Sequence, residues 1–284
     1  MRAGHHTDES TLINLNQYPI HLRHSDSYLR LVADTRARFE EEGCCKLTDF
    51  ITPSGLRVLQ AECRTFAQRR SDQRGRRVNC YYTASNEWEA PDHPSNILFE
   101  REFGVIRDDM LPQSAALRRI YDSQDLLRFV ADVVGLPEFF QSRDAYQALT
   151  VNCMRDQEQL HWHFDCNDFA ITLGIQEPIE GGELEFVRDI GRDNINDVQQ
   201  VLSQDVAALP PRLKPRRIET TEGALIFFRG GESIHRVLPT RGHRERLVAA
   251  LQYHQTHDAF DDPATTERIY GIDPQNHIGP KRTI

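Results

Sequence analysis

His163-Phe164-Asp165, with His235 and Arg246 further along, carries the chain's strongest chemical signal. On a β-strand, side chains alternate faces, so His163 and Asp165 point the same way, roughly 7 Å apart along the strand. An imidazole and a carboxylate so placed can share one metal ion. His235, 70 residues beyond Asp165, can add a second imidazole. Two histidines and one carboxylate on a single face suit non-heme Fe(II) and leave coordination positions for substrate and oxygen. His163, Asp165 and His235 are therefore the candidate metal ligands and the candidate catalytic set. Arg246 stands 11 residues past His235, at the head of Leu247-Val248-Ala249-Ala250-Leu251-Gln252-Tyr253. An arginine at a strand mouth can hold a carboxylate in a two-point grip. The set reads as iron plus a bound carboxylic acid. His-x-Asp alone is a short motif that a chain with 12 histidines meets by chance. Strand-like sequence around both ends of the constellation gives it weight.

Elements that could position these residues follow from the periodicities. Ser25-Asp26-Ser27 opens a segment in which Tyr28, Leu31, Val32 and Phe39 recur at helical spacing, and Gly43 closes it. Thr52-Pro53 has the form of an N-cap followed by proline, with Leu56, Leu59, Cys63 and Phe66 on one face. Further helices are expected at Ser114–Tyr121 and Ser123–Val134, the latter ended by Gly135-Leu136-Pro137. Between the Thr52-Pro53 helix and Ser114, at about 74–100, an aromatic-rich stretch containing Tyr81, Tyr82 and Trp88 reads as a lid or a packed Ω-loop.

From Ala145 the period changes. Strands are expected at Ala145–Met154, Phe169–Gln176, Gly182–Val187, Arg216–Thr220, Ala224–Phe228, Ser233–Leu238 and Leu247–His254, with a helical insertion at Asp193–Leu202. Many short strands in succession imply a sandwich or jelly roll, and its mouth can bring Asp165 and His235 together. The expectation is one α+β domain over residues 1–284. Its parts are a mainly helical region at 1–140 with a lid-like loop, a jelly-roll (cupin-like) core at 141–260 and a C-terminal tail at 261–284.

Composition narrows the partners. Thirty-four basic residues against 43 acidic give a net charge of −9, which lacks the field needed to hold a nucleic-acid backbone. Arg74-Gly75-Arg76-Arg77 reads as a solvated loop or lid element. The six cysteines (Cys44, Cys45, Cys63, Cys80, Cys153, Cys166) show no paired metal spacing. Met1–His6 lacks the apolar core of a signal peptide, and no apolar run approaches the ~20 residues that span a bilayer. A cytoplasmic protein with free thiols is expected, acting on a small molecule, with no nucleic-acid or membrane partner and a homodimer left open. Cys166 would be an oxidation liability beside iron.

Taken together, these residues resemble the Fe(II)/2-oxoglutarate-dependent oxygenases on the double-stranded β-helix fold. Within them the likeness is to the free-amino-acid halogenases and hydroxylases of the BesD/HalD type. It covers most of the chain. It begins at Asn14-Leu15-Asn16-Gln17-Tyr18-Pro19 and Gly43 through Phe50, and is strongest in Trp162–Asp165, Phe169–Leu173 and Glu180–Val187. It continues through Phe228-Arg229-Gly230, Ser233–Val237 and Arg244–Val248. The resemblance implies Fe(II) on His163, Asp165 and His235, with 2-oxoglutarate and O2 as cosubstrates and release of succinate and CO2. It implies Arg246 on the distal carboxylate of 2-oxoglutarate, with Arg244 as its rival because Gly242-His243-Arg244 resembles the usual lead-in, and Thr172 as a further contact. Halogenases of this type have glycine or alanine where this chain has Asp165, so the resemblance implies hydroxylation and not chlorination.

The substrate implied is a free amino acid or a small polar relative. His161, Trp162, Asn167, Asp168 and Gln252 are its candidate contacts, with His254 beside them; Trp162, Phe164 and the Tyr81/Tyr82/Trp88 loop are candidate apolar walls. An amine-bearing side chain needs a buried acidic partner, which Asp168 could provide, but the position directly after the ligand is neutral Cys166, which counts against a lysine-like substrate. Other readings stay open: halogenation or desaturation, a cupin-like binder of a metal or small acid without redox chemistry, and a zinc hydrolase on the same ligands.

Overall fold

The computed structural model describes residues 9–257, 259 and 261–275; the Met1–His6 run and the end of the expected tail lie outside them. Two antiparallel sheets carry the architecture. Their strands are β1 (Cys44–Leu47), β2 (Ser71–Asp72), β3 (Gly104–Ile106), β4 (Leu149–Met154), β5 (Leu160–His163), β6 (Ala170–Gln176), β7 (Leu184–Val187), β8 (Arg216–Ile218), β9 (Leu225–Phe228), β10 (Ile234–Val237) and β11 (Arg246–Leu251). The larger sheet has the order β1-β9-β6-β11-β4-β3-β2, the smaller β8-β7-β10-β5. Neighbours distant in sequence pair throughout, as a jelly roll requires.

The alternation along the large sheet decides what faces what. Leu247, Ala249 and Leu251 of β11, Ile171, Leu173 and Ile175 of β6, and Leu225 and Phe227 of β9 join one core with helical residues Phe39, Leu59, Cys63, Leu117 and Phe129. The intervening residues, Arg246, Val248 and Ala250, Ala170, Thr172 and Gly174, and Ile226 and Phe228, line an interior cavity. Both faces of these strands are buried, so their sequences read as near-continuous apolar runs with few polar breaks.

The helices end where their capping residues dictate. Ser25 accepts from the Tyr28 N–H at the start of Asp26–Glu42, and Gly43 closes it at φ 72°. Ser123 and Gly135 do the same for Gln124–Val134. The Thr52 hydroxyl accepts from the Gly55 N–H at 3.0 Å and donates to the Thr11 carbonyl at 2.6 Å. Thr52→Ala is expected to cost about 1 kcal/mol, read as a lower urea midpoint with unchanged slope.

Several expected boundaries move. The strand read from Ala145 starts only at Leu149, because the Asp144 side chain accepts from the Tyr146 and Gln147 N–H groups, both at 2.8 Å. That local turn competes with strand pairing. The 247–254 run begins one residue earlier and breaks at Gln252 into β11 and a short Tyr253–His254 strand. β1, β2 and β3 were not expected; they are edge or short strands of two to four residues, too brief for an alternation to register. The tail contains a helix, Pro263–Tyr270, capped by Asp262 and closed by Gly271. The 74–100 stretch is an ordered loop pinned by Asn79, whose side chain bonds Thr83, Ser95 and the Tyr81 N–H.

Candidate metal centre and cosubstrate cavity

β5 and β10 are direct neighbours, and their register sets His235 opposite His163. The ring centroids lie 4.0 Å apart. Asp165 follows two residues after the strand end, its N–H bonded to the Gly230 carbonyl at 3.0 Å. Its Oδ1 lies 3.7 Å from His163 Nε2 and 3.5 Å from His235 Nε2. The three ligand atoms fall within 4.8 Å of one another, the one such group of three or more ligand side chains among the described residues.

The imidazole tautomers are set from behind. His163 Nδ1 donates to the His161 carbonyl at 2.8 Å, and His235 Nδ1 donates to the Ser233 carbonyl at 2.9 Å. Each Nε2 is left with its lone pair turned toward Asp165, the arrangement that orients metal-ligating histidines. Burial, then the neighbouring His235, holds His163 neutral with its pKa down at about 3. Burial pushes the Asp165 carboxyl up, but His235, His163 and Arg192 outweigh it, and the net lies below the usual carboxylate value. Arg192 also donates to the Asp165 carbonyl. Asp165 Oδ2 is buried without a hydrogen-bond partner. Two ring Nε2 atoms facing an incompletely satisfied carboxylate fit a divalent cation.

The carboxylate has its position because Gly230 has no side chain. A Cβ there would stand 1.7 Å from Asp165 Oδ2. Gly230→Ala is therefore expected to turn the carboxylate and weaken metal binding about tenfold, at the low end for groups that support a ligand. Co(II) titration of the two proteins checks it, with equal affinities refuting the packing argument.

From the three ligands the cavity, about 110 Å³, runs between the sheets to Arg246. Leu160, Leu184, Ile226, Phe228, Val237 and Val248 make its walls apolar. Arg246 is buried, donates Nε–H to the Thr220 hydroxyl at 3.0 Å and Nη1–H to Met154 Sδ at 3.9 Å. Burial lowers its pKa to about 10, with Glu183 opposing, so it stays charged at neutral pH. Gly182, at φ 74°, leaves room for it; a Cβ would meet Arg246 Cδ at 2.7 Å.

The other expected residues divide. Thr172 and Gln252 line the cavity, and Asn167 donates to Gln252 Oε1 at 2.6 Å. Arg244 lies elsewhere, bonded to Glu222 in a surface cleft with Arg64, Arg155 and Gln176. His161 bonds Glu102 at 3.0 Å and stacks on Phe99 at 5.0 Å, beside the cavity and not in it. Trp162, between two cavity-side residues, faces the reverse side of the sheet, under the Arg236 guanidinium at 4.5 Å. Phe164 is in the same reverse core, and Tyr81 stacks on it at 5.7 Å. Trp88 is 87% exposed. None of these four aromatics forms a cavity wall, while Tyr82 lies 5.5 Å from the His163 ring. Asp168 is exposed and accepts from Gln255 at 3.4 Å; His254 pairs its strand with Phe140, away from the cavity.

Residues that sequence reasoning passed over include Asn152 and Thr220, which line the cavity. Asn152 was legible as the polar break within Leu149–Met154. Arg101 had no such signal. It is 4% exposed, its Nε has no partner, and it lies over the Tyr82 and Phe103 rings.

A jelly roll with two histidines and a carboxylate at one end of its interior and a buried arginine at the other defines an Fe(II)/2-oxoglutarate-dependent oxygenase. The halogenase D family model matches residues 29–271, and the chain belongs to that family. Solved structures support the fold. A 2OG-Fe(II) oxygenase family oxidoreductase from Burkholderia pseudomallei is similar at 16% identity and TM-score 0.51, over 80% of this chain and 92% of that one. AviO1 from Streptomyces viridochromogenes Tue57 is similar at 14% identity and TM-score 0.52, over 81% and 96%. The epimerase SnoN of nogalamycin biosynthesis, solved with Fe3+ and alpha ketoglutarate, is similar at 14% identity and TM-score 0.51, over 80% and 84%. No curated protein matches the chain. The cofactors are Fe(II), 2-oxoglutarate and O2. No described helix is long and apolar enough to cross a membrane.

Proposed function

We propose that this protein hydroxylates an unactivated C–H bond of a small polar compound, a free amino acid or a derivative, releasing succinate and CO2. The observation that carries hydroxylation over chlorination is Asp165, whose Oδ1 fills the third position beside both histidine Nε2 atoms. When bound, Fe(II) with 2-oxoglutarate and O2 supplies the oxidising power for C–H cleavage. His163 and His235 would hold the metal through Nε2, and Asp165 through Oδ1. Arg246, braced by Thr220 and buried at the far end of the cavity from the metal ligands, would take the distal carboxylate of 2-oxoglutarate, while Arg244 is bonded to Glu222 outside it. Thr172 lines the same passage. The apolar walls keep water from the reacting end. Near the metal ligands, the Arg101 guanidinium, whose Nη1 donates to the Tyr82 hydroxyl at 3.5 Å and whose Nε has no partner, suits a substrate carboxylate, and Gln252 with Asn167 offers amide groups.

The test is a panel of free amino acids, nucleosides and small peptides incubated with Fe(II), 2-oxoglutarate and air, following succinate and products with one added oxygen. An amino acid gaining oxygen is the expected result. Turnover confined to nucleosides or peptides would sink the substrate reading, and chlorinated product from the unmodified protein in chloride buffer would sink the use of Asp165. Absence of succinate throughout would favour a non-redox binder.

A further inference from the structure

We propose that Glu185 is a positioning residue for the metal centre: from the reverse face of the smaller sheet it holds, through Arg236 and Trp162, the strand segment that orients His163. This rests on His163 and His235 being metal ligands and is independent of the substrate. Glu185 is in register with Arg217 on one neighbouring strand and Arg236 on the other. His235 faces the cavity, so alternation turns Arg236, and with it Glu185, to the opposite face. There Glu185, 1% exposed, has both carboxylate oxygens taken. Oε1 accepts from Arg217 Nε at 2.7 Å, and Oε2 accepts from Arg236 Nε and Nη2 at 2.8 and 2.6 Å. The Arg236 guanidinium, fixed at two nitrogens, lies 4.5 Å from the centre of the Trp162 ring. Indole is the best aromatic partner for a cation placed over its face. One chain of contacts therefore crosses all four strands, β8-β7-β10-β5.

That chain ends where the backbone register slips. His235 pairs with His163 but Val237 pairs with Leu160, so β5 has one residue more than β10 between the two pairs. An extra residue interrupts the ladder and re-aims side chains, a device common beside active sites. His161 and Trp162 fill that interval. The His161 carbonyl accepts from His163 Nδ1 at 2.8 Å, which turns Nε2 toward Asp165. The placement of this carbonyl thus belongs to the metal centre, and its neighbour Trp162 holds it. The Trp162 ring packs with Val187, Val198, Leu213 and Ile234 and is covered by Arg236. Stability alone does not account for Glu185. A buried ion pair gives up hydration that its attraction barely repays, and apolar residues of the same volume often do as well. An apolar residue could not fix the guanidinium in one orientation over the ring, whereas a carboxylate bonded to two of its nitrogens does.

The experiment is Glu185→Gln, made in the wild-type chain and in a Trp88→Phe background where Trp162 is the one tryptophan left. Without metal, Trp162 emission should shift once Arg236 is no longer held over the ring. With Co(II), affinity is expected to fall about fivefold, less than the 10–100-fold of groups that touch a ligand, and the visible absorption bands to move. KM for 2-oxoglutarate should match wild type, because Arg246 is at the other end of the cavity. Glu185→Gln should add little to the loss caused by Trp162→Leu, since both cut the same chain of contacts. A folded Glu185→Gln with wild-type Co(II) affinity and bands, whatever its urea midpoint, overturns the proposal and leaves the ligand assignment standing. Should that variant not fold, Arg236→Lys decides. It keeps a charge for Glu185 but has no flat guanidinium to lie on the ring, so the same Co(II) changes are expected and their absence overturns the proposal. Wild type that binds no Co(II) overturns the ligand assignment and the proposal together.

Discussion

Asp165→Ala is expected to reduce hydroxylated product by at least about a hundredfold, because Asp165 is the only carboxylate of the proposed metal centre. Its Oδ1 stands 3.7 and 3.5 Å from the two imidazole Nε2 atoms, and its Oδ2 packs on Gly230. Groups that merely support a ligand cost 10–100-fold when removed, so a ligand itself sets that range as a floor. Without it, two neutral imidazoles remain to hold a dication, with a vacated position bounded by a glycine. That position favours an exogenous anion over water. Chloride is therefore expected to improve Co(II) retention by the variant and to leave wild type unaffected. The measurements are metal titration with and without chloride and product mass with each anion. Wild-type turnover by the variant would remove Asp165 from the metal centre.

How this site could be read from sequence, and where reading failed, follows from which constraints are local. The convergence of His163, Asp165 and His235 was legible from residue type and short spacing, and β5–β10 pairing places the histidines opposite each other; the strand expected to carry Asp165 ends at His163, so the carboxylate is set by the following loop. Ser25, Thr52 and Ser123 marked helix starts because a cap is settled within three residues. Trp162 was misplaced although the alternation that groups His161 with His163 also sends Trp162 to the other face. His161 is on the expected face, but Glu102 and Phe99, on a chain segment about 60 residues earlier, hold it aside from the cavity. Asp144 shortened a strand through a turn that no periodicity reveals. Arg101 is a charged residue in an irregular segment, and only folding shows it to be buried with its Nε unpartnered. Gly230 is of the same kind, since its requirement comes from a side chain 65 residues upstream.

Arg246→Ala is expected to raise the 2-oxoglutarate requirement by at least about thirtyfold while leaving Co(II) affinity nearly unchanged. Truncating one member of a buried charge pair costs about 2–5 kcal/mol, and each 1.4 kcal/mol is a factor of ten. Arg246 meets the conditions for such a loss. It is buried, its Nε is fixed by Thr220, and among the described residues its Nη1 meets only the Met154 thioether, a weak acceptor. Burial has already lowered its pKa to about 10, a cost that a bound carboxylate would offset. Arg246→Lys should recover only part of the affinity, because an ammonium lacks the planar two-point grip. Arg244→Ala supplies the contrast: its guanidinium is already bonded to Glu222 outside the cavity, so its 2-oxoglutarate KM should match wild type. If the two alanine variants exchange these behaviours, the carboxylate enters from the surface cleft, and the cavity between the sheets must serve the substrate instead.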